Sequence, residues 1–181
     1  LVKNKCVIIF LILFLPTAAL ALELEALKTD LLLGNYRRII STGESQLQGK
    51  YLGNNEELIY ILGLSYLKEG MMTKAQECFK RILNSTAGKF KTPARLALAD
   101  AYLVQGDFLL AEDLYQQLLA QDSNTKLKPA ILFRLSQLET KRGNAQKSND
   151  YWLKLKEDFP LAPELKSAKI TILNATSRSS N

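Results

Sequence analysis

Residues 101–119 read AYLVQGDFLLAEDLYQQLL. Leu, Ala, Glu and Gln favour helix on both sides of the stretch. Gln105-Gly106-Asp107 interrupts it, and a Gly in a helix interior costs about 1 kcal/mol relative to Ala. The segment is therefore either one flawed helix or two helices joined by a turn. The rest of the chain decides between them.

Gly34, Gly70, Gly106 and Gly143 recur at spacings of 36, 36 and 37 residues. Seven positions before each Gly stand Leu27, Gly63, Ala99 and Ser136, and four before it Asp30, Tyr66, Tyr102 and Glu139. Five positions after stand Ile39, Ala75, Ala111 and Ser148; nine after, Gly43, Phe79, Tyr115 and Trp152; twelve after, Gln46, Ile82, Leu118 and Leu155. Steps of three and four place each set on one helical face. Small residues at −7 and +5 let two helices approach, and the aromatic at +9 fills the space between them. Gly supplies a left-handed backbone at the turn. Residues 101–119 thus read as two antiparallel helices with Gly106 between them.

The pattern resembles the tetratricopeptide repeat, a helix–turn–helix unit of about 34 residues. LGLSYLKEGMMTKAQECFKRIL (residues 62–83) and LADAYLVQGDFLLAEDLYQQLL (98–119) carry the resemblance most clearly. LSQLETKRGNAQKSNDYWLKLKEDFP (135–160) adds a third match, ending in Pro160 where the family often has Pro, and LKTDLLLGNYRRIISTGESQL (27–47) a fourth. The resemblance implies an all-α fold, a short right-handed solenoid of antiparallel helix pairs. Four repeats are expected, at about 22–55, 56–91, 92–128 and 129–160. Gly63, Tyr66, Gly70, Ala75, Phe79, Ala99, Tyr102, Gly106, Ala111, Tyr115, Gly143, Trp152 and Pro160 are its structural positions.

The period exceeds the family's by two or three residues. The excess falls in NSTAGKFKT (84–92) and AQDSNTKLK (120–128), and Pro93 and Pro129 mark the helix starts that follow. After Pro160, Pro163 is expected to start a capping helix with Leu165, Ala168 and Ile172 on one side, before a disordered tail within residues 161–181.

Residues 1–21 read as a secretory signal peptide. Lys3 and Lys5 precede a ten-residue apolar run, Cys6 to Leu15; Pro16 breaks it, and Ala19-Leu20-Ala21 has the small-x-small form of a cleavage site. An uncleaved membrane anchor is the alternative. The mature chain would begin at Leu22, carry 22 basic against 18 acidic residues, and be exported, periplasmic or secreted. Its mild, scattered positive charge suits a solvated surface and not a nucleic-acid footprint. Contact with membrane is expected only through the signal segment. Cys78 is then the one remaining thiol and reads as a small apolar side chain.

No catalytic or metal-binding constellation is expected, and no cofactor. The chain has no His, the commonest general base and metal ligand. CxxC, GxSxG and phosphate-cradling glycine loops are also missing. Glu56-Glu57 and Glu112-Asp113 are adjacent in sequence, so their side chains diverge on a helix and read as solvated faces.

The segment ELIYILGLSYLKEG (57–70) is apolar on more sides than repeat packing uses. Such a helix is covered on more than one face. In the family it resembles, the first helices of successive repeats line a concave groove. Carried over by register, that groove would hold Tyr60, Leu64, Leu67 and Lys68, then Leu96, Asp100 and Leu103, then Phe133, Arg134, Gln137 and Lys141. A protein or peptide segment with apolar anchors and an acidic group would suit it. The same residues could instead pack on the N-terminal helix or on a second copy of the chain. Some family members clamp a C-terminal carboxylate with Lys, Asn and Arg; the matching places here hold Tyr60, Leu64, Leu96 and Ala97, so no such clamp is implied. YWLKLKEDFPLAPELKSA (151–168) resembles the repeat ends of periplasmic tetratricopeptide proteins. The expected role is a non-catalytic scaffold of the cell envelope, with a self-associating structural protein or an enzyme as alternatives.

Overall fold

The computed structural model describes residues 22–48, 55–86, 88–121 and 126–166. The expected signal segment, Ala168, Ile172 and the tail lie outside the described residues. The described residues are mainly helical and contain no strand. A first helix, α1, covers residues 22–33. Then come α2 (Tyr36–Gln48), α3 (Glu56–Lys68), α4 (Met72–Leu83), α5 (Lys91–Gln105), α6 (Phe108–Leu119), α7 (Lys128–Arg142) and α8 (Ala145–Asp158). Residues 164–166 form one further helical turn. The chain divides into two compact units between Ala94 and Arg95.

Each expected turn is a turn, and all four are built alike. Gly34, Gly70, Gly106 and Gly143 have φ of 79°, 76°, 90° and 82°, where a side chain would be strained. The N–H after each Gly donates to the carbonyl four residues before it: Asn35 to Asp30 at 2.9 Å, Met71 to Tyr66 at 2.8 Å, Asp107 to Tyr102 at 3.0 Å, Asn144 to Glu139 at 2.9 Å. This is the long bond of a Schellman helix end. The next N–H then donates back to the Gly carbonyl, as Phe108 does to Gly106 at 2.8 Å. Asp107 between them has φ −77° and ψ 63°, an inverse γ-turn. The following helix therefore starts with a backbone bond, and neither Asp107 nor Asn144 caps it with its side chain.

In the first unit, Leu27, Ile39, Leu58 and Ile61 form a core joining α1, α2 and α3. Ala75, Phe79 and Ile82 of α4 are fully buried. The close approach expected at Gly63 is tight: a Cβ there would lie 2.7 Å from Phe79 Cε1 and 3.0 Å from Cys78 Cβ. Cys78 is half-buried, and burial pushes its thiol up to about 11. Gln46 stands where the other repeats bury Ile82, Leu118 and Leu155, and both its amide atoms are buried without a hydrogen bond among the described residues.

In the second unit, Ala99, Ala111, Tyr115 and Leu118 are buried together with Ile131, Leu135, Leu138 and Leu155. The small positions of the last hairpin are serines, and they bond across it. Ser148 Oγ donates to the Ser136 carbonyl at 2.9 Å and lies 2.7 Å from Thr140 Oγ1. Trp152, read as an inter-helix core residue, is only half-buried; it packs against Leu132, Leu155 and Ala162.

Candidate partner-binding surfaces

Glu57 and Glu112, read from the sequence as solvated, prove to pair across neighbouring hairpins, and further ion pairs do the same. In the first unit Lys28 contacts Glu57 at 2.7 Å and Arg37 contacts Glu69 at 3.1 Å. Glu44 accepts from Tyr66 Oη at 2.5 Å and from Lys74 Nζ at 2.8 Å, and these partners, Lys74 foremost, hold its carboxyl below the usual range. Glu56 binds the loop after α4, accepting from Ser85 Oγ and from the Phe90 N–H at 3.4 Å. In the second unit Glu112 contacts Arg142 at 2.5 Å. Asp113 alone of the two adjacent acidic pairs faces water, bonded to Gln117 one turn on.

On α3, Tyr60, Leu64 and Leu67 are half-buried and Lys68 is exposed. The Tyr60 ring sits 6.1 Å from the Phe79 ring and 5.5 Å from Phe90. Phe90 was not singled out in the sequence, because it lies in a loop where register says nothing. It folds back on α3 and with Tyr60 makes an aromatic ledge beside Leu64.

On α5 and α7 the structure brings two expected groove residues into direct contact. Asp100 Oδ1 accepts from Arg134 Nε at 2.9 Å and from Tyr115 Oη at 2.6 Å. Sequence reasoning placed Tyr115 in the core but gave its hydroxyl no role. The signal was there: Phe79 holds the same register position, and a buried tyrosine hydroxyl calls for an acceptor. Burial and the Asp100 carboxylate push the Tyr115 hydroxyl far above its ordinary range. Burial pulls Arg134 down, but Asp100, with a smaller pull from Glu164, holds it net above its usual value.

The arginine is thus fixed through Nε only. Its side chain is 36% exposed, and its two Nη groups make no hydrogen bond among the described residues. Leu96, Phe133 and Gln137 around it are half-buried and Lys141 is exposed, whereas Leu103 is buried and offers little surface. Arg134, Gln137 and Lys141 recur at three and four residues, so they share one face of α7. Chemically this is a row of donors beside apolar side chains, with one positive fork held ready for a planar anion.

No three His, Cys, Asp or Glu side chains gather as a metal site among the described residues. None of the described helices is long and apolar enough to cross a membrane.

Residues 57–85, which take in nearly all of the α3–α4 hairpin, match the family model of the tetratricopeptide repeat. No curated protein matches the chain. A tetratricopeptide repeat points to a protein–protein interaction module, and the family is generally non-catalytic.

Proposed function

We propose that this tetratricopeptide-repeat chain is a non-catalytic binding module of the cell envelope, and that the α5–α7 face of its second unit receives a segment of a protein partner. The observation that carries the reading is the Arg134 fork. It is anchored by Asp100, which Tyr115 Oη also bonds, and its Nη groups make no hydrogen bond among the described residues. An arginine held this way serves recognition better than stability, since the pairing leaves most of its donors open. Phe133 and Leu96 supply the apolar flanks, and Gln137 and Lys141 extend the polar row. The Tyr60–Leu64–Leu67 ledge of the first unit is a separate apolar surface for the same class of partner. Export is supported by the basic start, the short apolar run and the cleavage-like Ala19-Leu20-Ala21. No cofactor or nucleic acid enters this reading.

Affinity capture from envelope extract, quantified beside thermal melting, tests it. Interface hot spots, which are enriched in Arg and aromatic residues, cost about 2 kcal/mol or more on truncation. Arg134→Ala should therefore reduce recovery of the specific partner by at least about tenfold. Lys154→Ala, an exposed change on α8, should leave recovery at the parent level. Equal recovery by the two variants would refute the assignment of this face.

A further inference from the structure

The turn edge of the first unit is apolar where repeat packing does not require it. Leu31, Leu32 and Leu33 close α1 as three consecutive leucines. Leu31 packs on the core formed with Leu27 and Ile39. Leu32 and Leu33 do not, and are 88% and 70% exposed. Tyr36 lies over the same turn: a Cβ added at Gly34 would stand 3.9 Å from its ring and its hydroxyl. On the next turn Met71 follows Gly70 and is also exposed. The two turns adjoin, because Arg37 at the start of α2 bonds Glu69 just past α3.

Cations rim this edge. The Arg37 side chain is 90% exposed, and Arg38 and Lys68 are exposed as well. Arg37 Nε donates to Glu69 at 3.1 Å and Arg38 Nη1 to Asp30 at 3.4 Å. Neither guanidinium makes another hydrogen bond among the described residues. The acids lie beneath them: Asp30 is buried and Glu69 half-buried. Lys68 holds in the second hairpin the register position that Leu32 holds in the first. The outward-facing charge is therefore positive.

The arrangement discriminates between kinds of cover. Neighbouring residues on a helix point about 100° apart, so a partner helix or strand that seats Leu32 leaves Leu33 aside. A fluid apolar phase receives both. Anionic headgroups complement the surrounding cations, and arginine suits phosphate in particular. Apolar side chains bordered by a Tyr and ringed by Arg and Lys match a surface that lies in a membrane interface.

We infer that the edge formed by the Gly34 and Gly70 turns docks on an anionic phospholipid surface. Leu32 and Leu33 enter the acyl border, and Arg37, Arg38 and Lys68 meet the phosphates. Membrane contact thus extends beyond the signal segment, as a peripheral contact that needs no crossing helix. It involves the first unit alone and does not depend on the α5–α7 face.

The test uses the full chain with Ile9→Asp and Leu13→Asp, which break the apolar run Cys6–Leu15 so that it cannot itself carry the chain to a bilayer. A nitrobenzoxadiazole fluorophore is attached at Leu33→Cys, with Cys6→Ser and Cys78→Ser leaving a single thiol. Vesicles of phosphatidylglycerol and phosphatidylethanolamine in equal parts should brighten and blue-shift its emission. Phosphatidylcholine vesicles should need at least tenfold more lipid for the same response. The same label at Leu109→Cys, a site 78% exposed in the second unit, should not respond. Arg37→Gln with Lys68→Gln should raise the lipid needed at least tenfold, since each basic residue near an anionic surface contributes about fivefold. If Cys78→Ser disturbs the α3–α4 packing, flotation of unlabelled chain with vesicles replaces the probe, and Leu32→Ser with Leu33→Ser should abolish it. Equal responses at 33 and 109, equal responses to the two lipid mixtures, or unchanged affinity in the charge variant overturns the inference. A probe at 33 that ignores vesicles but shifts with membrane-free envelope extract also overturns it, and assigns the edge to a protein.

Discussion

Gly63→Val is expected to destabilise the first unit by about 3 kcal/mol, and Gly63→Ala by about 1–2 kcal/mol, the reverse of the usual effect of removing a helix glycine. In an ordinary helix interior, Gly→Ala gains about 1 kcal/mol. Here the new Cβ would lie 2.7 Å from Phe79 Cε1, 3.1 Å from Phe79 Cζ and 3.0 Å from Cys78 Cβ. None of those atoms is the free end of a flexible chain. Phe79 is fully buried, with the Tyr60 ring 6.1 Å away, so it has little room to yield. α3 and α4 must move apart, and the core between them loosens. Gly43 provides the internal control. Its Cβ would meet Leu62 Cδ1 at 3.3 Å, the tip of a side chain that can rotate away, so Gly43→Ala should be milder. Urea unfolding of the three variants checks the ranking. A Gly63→Ala protein more stable than its parent would show that the close approach is absent.

Glu139→Ala should cost about 3 kcal/mol, toward the lower end of what removing one member of a buried charge pair costs. Glu139 is fully buried. Its side chain accepts from Asn144 Nδ2 at 2.7 Å and from Arg142 Nη1 at 3.1 Å. Its own carbonyl accepts the long bond of the Gly143 turn. The substitution leaves an Arg142 guanidinium that is only 16% exposed and an Asn144 amide without its acceptor. Arg142 keeps Glu112 at 2.5 Å, which limits the damage. Glu139→Gln retains an oxygen acceptor and should lose less. Thermal melts of both variants decide it, and a loss below about 1 kcal/mol for Glu139→Ala would mean that the buried carboxylate contributes little. The first unit holds a matching arrangement: Asp30, buried at the same register position, accepts from Asn35 Nδ2 at 2.9 Å and Arg38 Nη1 at 3.4 Å. Where the residue four before the Gly is Tyr66 or Tyr102, the residue after it is Met71 or Asp107 in place of Asn.

Much of this was legible in the sequence. Glycine spacing located all four turns, because left-handed backbone is a local demand that one residue type meets. Ala75, Ala111, Phe79 and Tyr115 lie buried as the register requires. Pro129 begins α7 as expected. What register could not supply is the pairing of polar groups. It placed Asp100 and Arg134 on neighbouring helices but not in contact, since a shared face does not fix which atoms meet. It read Glu57 and Glu112 as solvated, because neighbours within a helix were the only partners considered. Their partners, Lys28 and Arg142, lie about 30 residues away in sequence. Loop residues were hardest. Phe90 has no period to place it, and the return of Ala162 onto α7 follows from tertiary packing alone.

A partner seated on the α5–α7 face would lie within reach of a crosslinker placed there. Photo-crosslinking tests this most directly. A benzophenone amino acid placed at Gln137, on the polar row of α7, is compared with one at Lys154, exposed on α8. With the full chain in its own host, one discrete adduct is expected from position 137, lost when Arg134→Ala is added, and none from position 154. Adducts at 154 with none at 137, or an adduct at 137 indifferent to Arg134, would contradict a partner on this face.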